Sequence, residues 1–219
     1  MTQQSLDPKV YQGHFGEFTI TADDRQEVFI YRAALTVAAV CFAIGSGLVL
    51  WQGEAAWVLN LLTPLYLCFW AALGVSLWKI HIYMLPLHRT LQAFWAIGGI
   101  AAMAIALSHS APLALTVYNQ PLTILGIGFT FAALTGIFFK EAFCFNRFET
   151  KFLTPLVPLL LLGHMLGFLP VGWERVMLAA WAGLFLIFAS RKLVQAMPDD
   201  IGDKSVFTYL QQQRSAASS

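Results

Sequence analysis

Charge is what this chain has least of. Asp, Glu, Lys and Arg make up 11% of its 219 residues, against roughly a quarter in a soluble domain. That leaves too little polar surface to clothe a water-soluble globule. A net charge of +1 supplies no bulk field for nucleic acid or for an acidic substrate. Cysteine is scarce as well. Cys41, Cys68 and Cys144 contain no CxxC pair, so neither a disulfide framework nor a zinc site is suggested. The N-terminal stretch MTQQSLDPKVYQGHFGEF lacks a basic segment ahead of an apolar core, and it does not read as a cleavable signal peptide. Glu141 and Glu149 are not followed by His three residues later, as a di-iron carboxylate bundle requires. His81 and His88 stand seven apart around Pro86, unlike the tight histidine boxes of membrane desaturases. No predicted span carries a clearly buried Asp or Glu, which argues against an ion-coupled pump. No internal repeat is evident.

What remains is apolar. Hydrophobic residues are 58% of the chain, and mean hydropathy is +0.66. They come in blocks of about 18 to 24, enough to cross a hydrocarbon core of about 30 Å as helices. Six spans are predicted: 28–51, 57–80, 91–107, 121–139, 152–169 and 176–190. Pro155 and Pro158 are positioned to kink the fifth. The expected fold is all-α, a polytopic membrane helical bundle. Residues 1–27 form an N-terminal arm with the start of the first helix, 28–190 the six-span domain, and 191–219 a tail.

The cations predict the threading. Lys9, Arg25, Arg32, Lys79, Arg89, Lys140, Arg147, Lys151, Arg191, Lys192, Lys204 and Arg214 fall on one side of the six spans, and Arg175 alone falls on the other. The positive-inside rule then places both termini on the cytoplasmic side. Trp51, Trp57, Trp78 and Trp173 sit at span ends, where interfacial indoles belong. Thr21 followed by Asp24 reads as a capping box, so the first helix is predicted to begin near residue 22, outside the bilayer.

Four polar features are candidate sites. The segments WKIHIYMLPLHR and KEAFCFNRFETK emerge at similar depth. They offer Lys79, His81, His88, Arg89, Lys140, Glu141, Cys144, Arg147 and Glu149. With Arg25 these read as a partner-docking face or a small-ligand or metal site, set against ordinary anchoring of span ends in the headgroup layer. Asp199, Asp200 and Asp203 form DDxxD, a magnesium–diphosphate pattern, but the second acidic motif such enzymes need is missing, and a solvated helix stop is the plainer reading. His164 reads as the only ionisable residue well inside a span. It is a candidate ligand for chlorophyll or haem, a relay in transport, or a donor to a neighbouring carbonyl. His109 is its only plausible mate and lies too shallow. Gly163 and Gly167 form GxxxG beside it, which would permit close helix approach. Gly45, Gly47, Gly98, Gly99, Gly126, Gly128 and Gly136 read mostly as packing positions.

The segments YQGHFGEFTITADDRQEVFIYR, LWKIHIYMLPLHRTLQ, FFKEAFCFNRFET, LLLLGHMLGFLP and DDIGDKSVFTYLQ together resemble an integral membrane family of cyanobacteria and plastids, the domain of unknown function 2301. The resemblance runs from about residue 10 to 211. It brings no catalytic residue and no cofactor. It implies a thylakoid or plasma-membrane setting and a photosynthesis-related role. The expected function is a non-enzymatic accessory factor that assembles or stabilises a photosystem-related complex. The alternatives are a small-solute transporter, with a water-lined cavity near His164, and a pigment- or haem-binding protein.

Overall fold

The computed structural model describes residues 10–12, 16–53, 55–80, 82, 84–197, 201, 203 and 215. Thr21 opens the first helix, α1 (Ala22–Gln52), with the predicted capping box. Its Oγ1 accepts from the Asp24 N–H at 3.2 Å, and the Asp24 carboxylate accepts from the Thr21 N–H at 2.9 Å. Two of the donors that every helix start leaves open are thereby satisfied. Ahead of the helix, β1 (Val10–Gln12) and β2 (Glu17–Thr19) pair antiparallel, with Tyr11 opposite Phe18. The sequence reading assigned only an arm there, because three-residue strands carry no usable period.

Six further helices follow: α2 (Ala56–Lys79), α3 (Leu85–Ser108), α4 (Leu113–Asn119), α5 (Ile124–Phe145), α6 (Phe148–Met165) and α7 (Val171–Leu193). A 3-10 turn, Pro121–Thr123, leads into α5. By length and composition, α1, α2, α3, α5 with its leading turn, and α7 can each cross a membrane. α6 falls short of that apolarity, because its first turn holds Glu149 and Lys151. Its 18 residues reach about 27 Å at the helical rise, and its two ends touch the two ends of α7. Glu149 meets Arg191, while His164 meets Glu174. Six helices therefore run the length of the bundle, five of them long and apolar enough to cross a membrane, against the six spans expected. The helix predicted at 152–169 begins four residues earlier, because hydropathy does not register a first turn in which Glu149 is buried against Arg191 while Lys151 stays exposed. The short α4 lay in a segment read as a loop.

Helix packing depends on small residues, since lipid supplies no hydrophobic drive between helices. One close joint is between α2 and α3. Trp70 Nε1 donates to the Trp95 carbonyl at 3.0 Å and Trp95 Nε1 donates to the Trp70 carbonyl at 2.8 Å. The two indoles stack with centroids 4.4 Å apart. Each ring lies on the glycine four residues beyond the other tryptophan. A Cβ at Gly74 would come within 2.4 Å of Trp95, and one at Gly99 within 2.5 Å of Trp70. Between α3 and α5, Gly98 and Gly136 are closed against Thr130 and Leu91 in the same way. At Gly47, by contrast, a Cβ would meet nothing within 4 Å.

The core is a column of rings down the bundle. Phe42 of α1 lies 4.3 Å from Trp181 of α7, Phe131 of α5 meets Trp181 edge-on at 5.3 Å, and Phe138 meets Phe185 edge-on at 5.2 Å. Edge-to-face pairs set the ring's positive rim against a neighbour's negative face. Trp51, Trp57, Trp78 and Trp173 are all exposed at helix ends, as interfacial anchors should be.

Candidate functional site

The starts of α1, α3 and α6 and the ends of α2, α5 and α7 meet at one end of the bundle, which holds nearly all the described cations. Its centre is Glu141, on the last turn and a half of α5 and 0% exposed. Lys192 Nζ donates to its Oε2 at 2.6 Å; Lys140 Nζ and the Tyr31 hydroxyl donate to its Oε1 at 3.1 and 3.2 Å. Lys192 also sits over the Phe145 ring, 4.1 Å from its centroid. A buried carboxylate is tolerable only when paired and hydrogen-bonded in this way. Beside it, Glu149 is buried and accepts from Arg191 at 2.8 Å. Arg147 lies 3.9 Å from its other oxygen and donates to the Gln195 side chain at 2.9 Å. Arg32, also buried, donates to the carbonyls of Gln195 and Ala196. The network ties α1, α5, α6 and the end of α7 into one joint.

Four predicted docking residues are thus brought together, but inward. Lys140, Glu141, Arg147 and Glu149 bind one another, α1 and α7. Lys79 pairs with Glu27 of α1 at 3.1 Å, and a His88 ring nitrogen donates to the Leu77 carbonyl at 2.6 Å. Arg25 and Arg89 are exposed, with Arg89 donating to Gln92 at 3.0 Å. His81 lies outside the described residues, as do Asp199 and Asp200 of the DDxxD stretch. The expectation that no span buries an acid is corrected by Glu141: the apolar run hid it because its partners come from α1 and α7. Tyr31, Arg32, Lys192 and Gln195 were not among the predicted site residues, and no local pattern marks them. Among the described residues, no group of three His, Cys, Asp or Glu side chains is placed to hold a metal.

The opposite end is built differently. His164 belongs to the last turn of α6 rather than lying well inside a span as predicted. One ring nitrogen lies 2.7 Å from Glu174 Oε1 and the other 3.0 Å from the Tyr118 carbonyl. Tyr118 also stacks on the imidazole, 4.7 Å between centroids, and its hydroxyl donates to Glu174 at 3.3 Å. Both nitrogens face acceptors, whereas a ligand to haem or chlorophyll needs a lone pair aimed at open space. His109 bonds back to the Ile105 carbonyl of its own helix, at 3.1 Å. The GxxxG pair makes no helix joint either. Gly167, at φ +71°, is the turn residue after α6, where the Phe168 and Leu169 N–H groups return to the Gly163 carbonyl.

Between this triad and the ring column lies a cavity of about 460 Å³. α1, α2, α4, α5, α6 and α7 all contribute to its wall. The wall is leucine, isoleucine, valine and phenylalanine, with Tyr66 and Thr63 inside and Tyr118, His164, Glu174 and Arg175 at the rim. The transport reading expected a water-lined chamber near His164; the chamber is there and its lining is apolar. His164 was the sequence signal for this end; the adjacent pair Glu174–Arg175, at the start of an otherwise apolar run, was not singled out.

No curated protein and no solved structure matches the chain. A family model matches residues 75–209, from the last turn of α2 into the tail. That stretch holds Glu141, Glu149, His164, Glu174, Arg175 and Lys192, and it leaves out α1 with Tyr31 and Arg32. It covers more than half of the chain, and the apolar traversing helices agree with its description: this protein belongs to the family of uncharacterized integral membrane proteins designated DUF2301.

Proposed function

We propose that the protein is a non-enzymatic accessory factor of a membrane complex, docking through its cation-rich end. The observation that carries this reading is an inversion at the turn between α5 and α6: the carboxylates face in and the rings face out. Glu141 and Glu149 are locked under the turn, while Phe139, Phe143, Phe148 and Phe152 are exposed around it, Phe143 at 84%. The α5 span with its leading turn is 25 residues long, about 38 Å of helix, which exceeds a hydrocarbon core of about 30 Å. Phe143 and Phe148 therefore stand at headgroup level or beyond, where an aromatic patch on the same end as Arg25 and Arg89 suits a protein partner. The cation asymmetry supports placing this end, and both termini, on the cytoplasmic side. The resemblance to a cyanobacterial and plastid family supports a thylakoid or plasma-membrane setting and a photosystem-related partner.

Tagging the C-terminus and purifying from gently solubilised membranes tests the docking. One complex should co-purify with the wild type and be lost from a Phe143→Ala/Phe148→Ala variant that still inserts, and photosystem content should fall in a deletion strain. Recovery of the protein alone, with unchanged photosystem content, overturns the reading. A reporter fused after Arg214 should remain cytoplasmic.

A further inference from the structure

The cavity at the opposite end plays no part in docking, and one charge singles it out. Arg175 is the one Lys or Arg on the side of the bundle that the sequence otherwise clears of cations, and it stands on the cavity rim. Its Nη2 donates to the Leu50 carbonyl at 2.9 Å, which fixes the guanidinium there with further N–H groups to offer. Among the described residues, no carboxylate lies within ion-pair distance of it. The adjacent Glu174 is turned to His164 and Tyr118.

Below the rim the wall is apolar. From Val171 to Leu178 the lining descends seven residues of α7, about 10 Å at the helical rise. At ~30 Å³ per water-sized group, a volume of about 460 Å³ takes roughly fifteen such groups, the bulk of a medium acyl chain with its head. We propose that the cavity binds a single-chain anionic amphiphile, its tail among Leu59, Leu62, Phe131 and Leu160 and its acidic head on Arg175. A carboxylate or a phosphate satisfies that head, so a free fatty acid and a lysophospholipid share the chemistry.

The test uses the full chain in phosphatidylcholine nanodiscs. Three probes carry the same twelve-carbon tail with a terminal diazirine: the fatty acid, the alcohol and the lysophosphatidic acid. After irradiation, mass spectrometry maps the adducts. Saturable adducts are expected on Phe131, Leu160 and Leu161, competed by unlabelled dodecanoic acid. Arg175→Gln should weaken the acidic probes about tenfold, the scale of one charge-assisted hydrogen bond, and leave the alcohol unchanged. Arg175→Lys should recover part of the loss. Ala114→Trp, which fills the cavity from α4, should abolish the adducts while the unfolding midpoint is held or raised; Gly128→Leu fills it from α5 should the first variant fail to fold. The acidic probe displaced at the higher competitor concentration identifies the source. Three results overturn the proposal: no saturable adduct, labelling spread equally over exposed α3 residues such as Ile100, Met103 and Leu107 (ordinary surrounding lipid), or acid and alcohol responding alike to Arg175→Gln.

Discussion

The two ends of this bundle solve opposite problems. At the cation-rich end, Lys140, Lys192 and Tyr31 converge on one buried carboxylate, and Arg147 and Arg191 flank a second. At the other end a single triad, Tyr118–His164–Glu174, is half-open to its surroundings, and a cavity lies beneath it. Buried charge gives one end a unique arrangement at the expense of desolvation. The other end leaves packing incomplete, which forgoes dispersion contacts along the whole cavity wall. Unfilled volume of that size in an otherwise close-packed interior is the feature of a binding site rather than of a joint.

The sharpest way to break the comparison is at Glu141. Glu141→Leu strands Lys192 in an apolar site and should cost about 3–5 kcal/mol, read as a large fall in the thermal unfolding midpoint in detergent. Glu141→Leu combined with Lys192→Met should recover most of that, because the stranded charge is gone as well. A double variant no more stable than the single would refute the pairing. Next in size is the α2–α3 joint. Gly74→Leu pushes into the Trp95 ring and should cost about 1–3 kcal/mol as overpacking, with a matching loss in Gly99→Leu.

At the cavity the sign should reverse. Ala114→Trp adds bulk where there is room and should raise stability by about 0.5–2 kcal/mol; a fall of that size would mean the wall cannot accept a ring and the space is not available. The smallest effect belongs to the partly exposed Lys79–Glu27 pair. Glu27→Gln should change stability by under about 1 kcal/mol and lose its effect in high salt. A loss there as large as that at Glu141 would erase the distinction between the buried network and ordinary surface pairing.

Much of the architecture could be read along the chain, for reasons that differ from element to element. The start of α1 was legible because Thr21 and Asp24 cap a helix through atoms three residues apart. The exposed tryptophans were legible because an indole at a span end has one comfortable depth. The polar segments come to one end of the bundle, and which of their charges turn inward could not be read from them. Nothing near KEAFCFNRFETK says whether Glu141 faces water or a lysine. His164 was placed too deep for a related reason: the run LLLLGHMLGFLP is apolar on both sides of it, and only Gly167 at positive φ reveals that the helix has already ended.

The sequence alone determined that this is a bundle of membrane-crossing helices, where the first one begins, and that its cations gather at one end. Those properties are summed over neighbouring residues, so composition, period and caps are enough. Tertiary structure alone decided which charges are buried and where the interior is left empty. Glu141 finds Tyr31 across 110 residues and Lys192 across 51, and the cavity exists only where six helices fail to close on one another. Contacts of that kind depend on how helices are placed in space, and no window along the chain contains them.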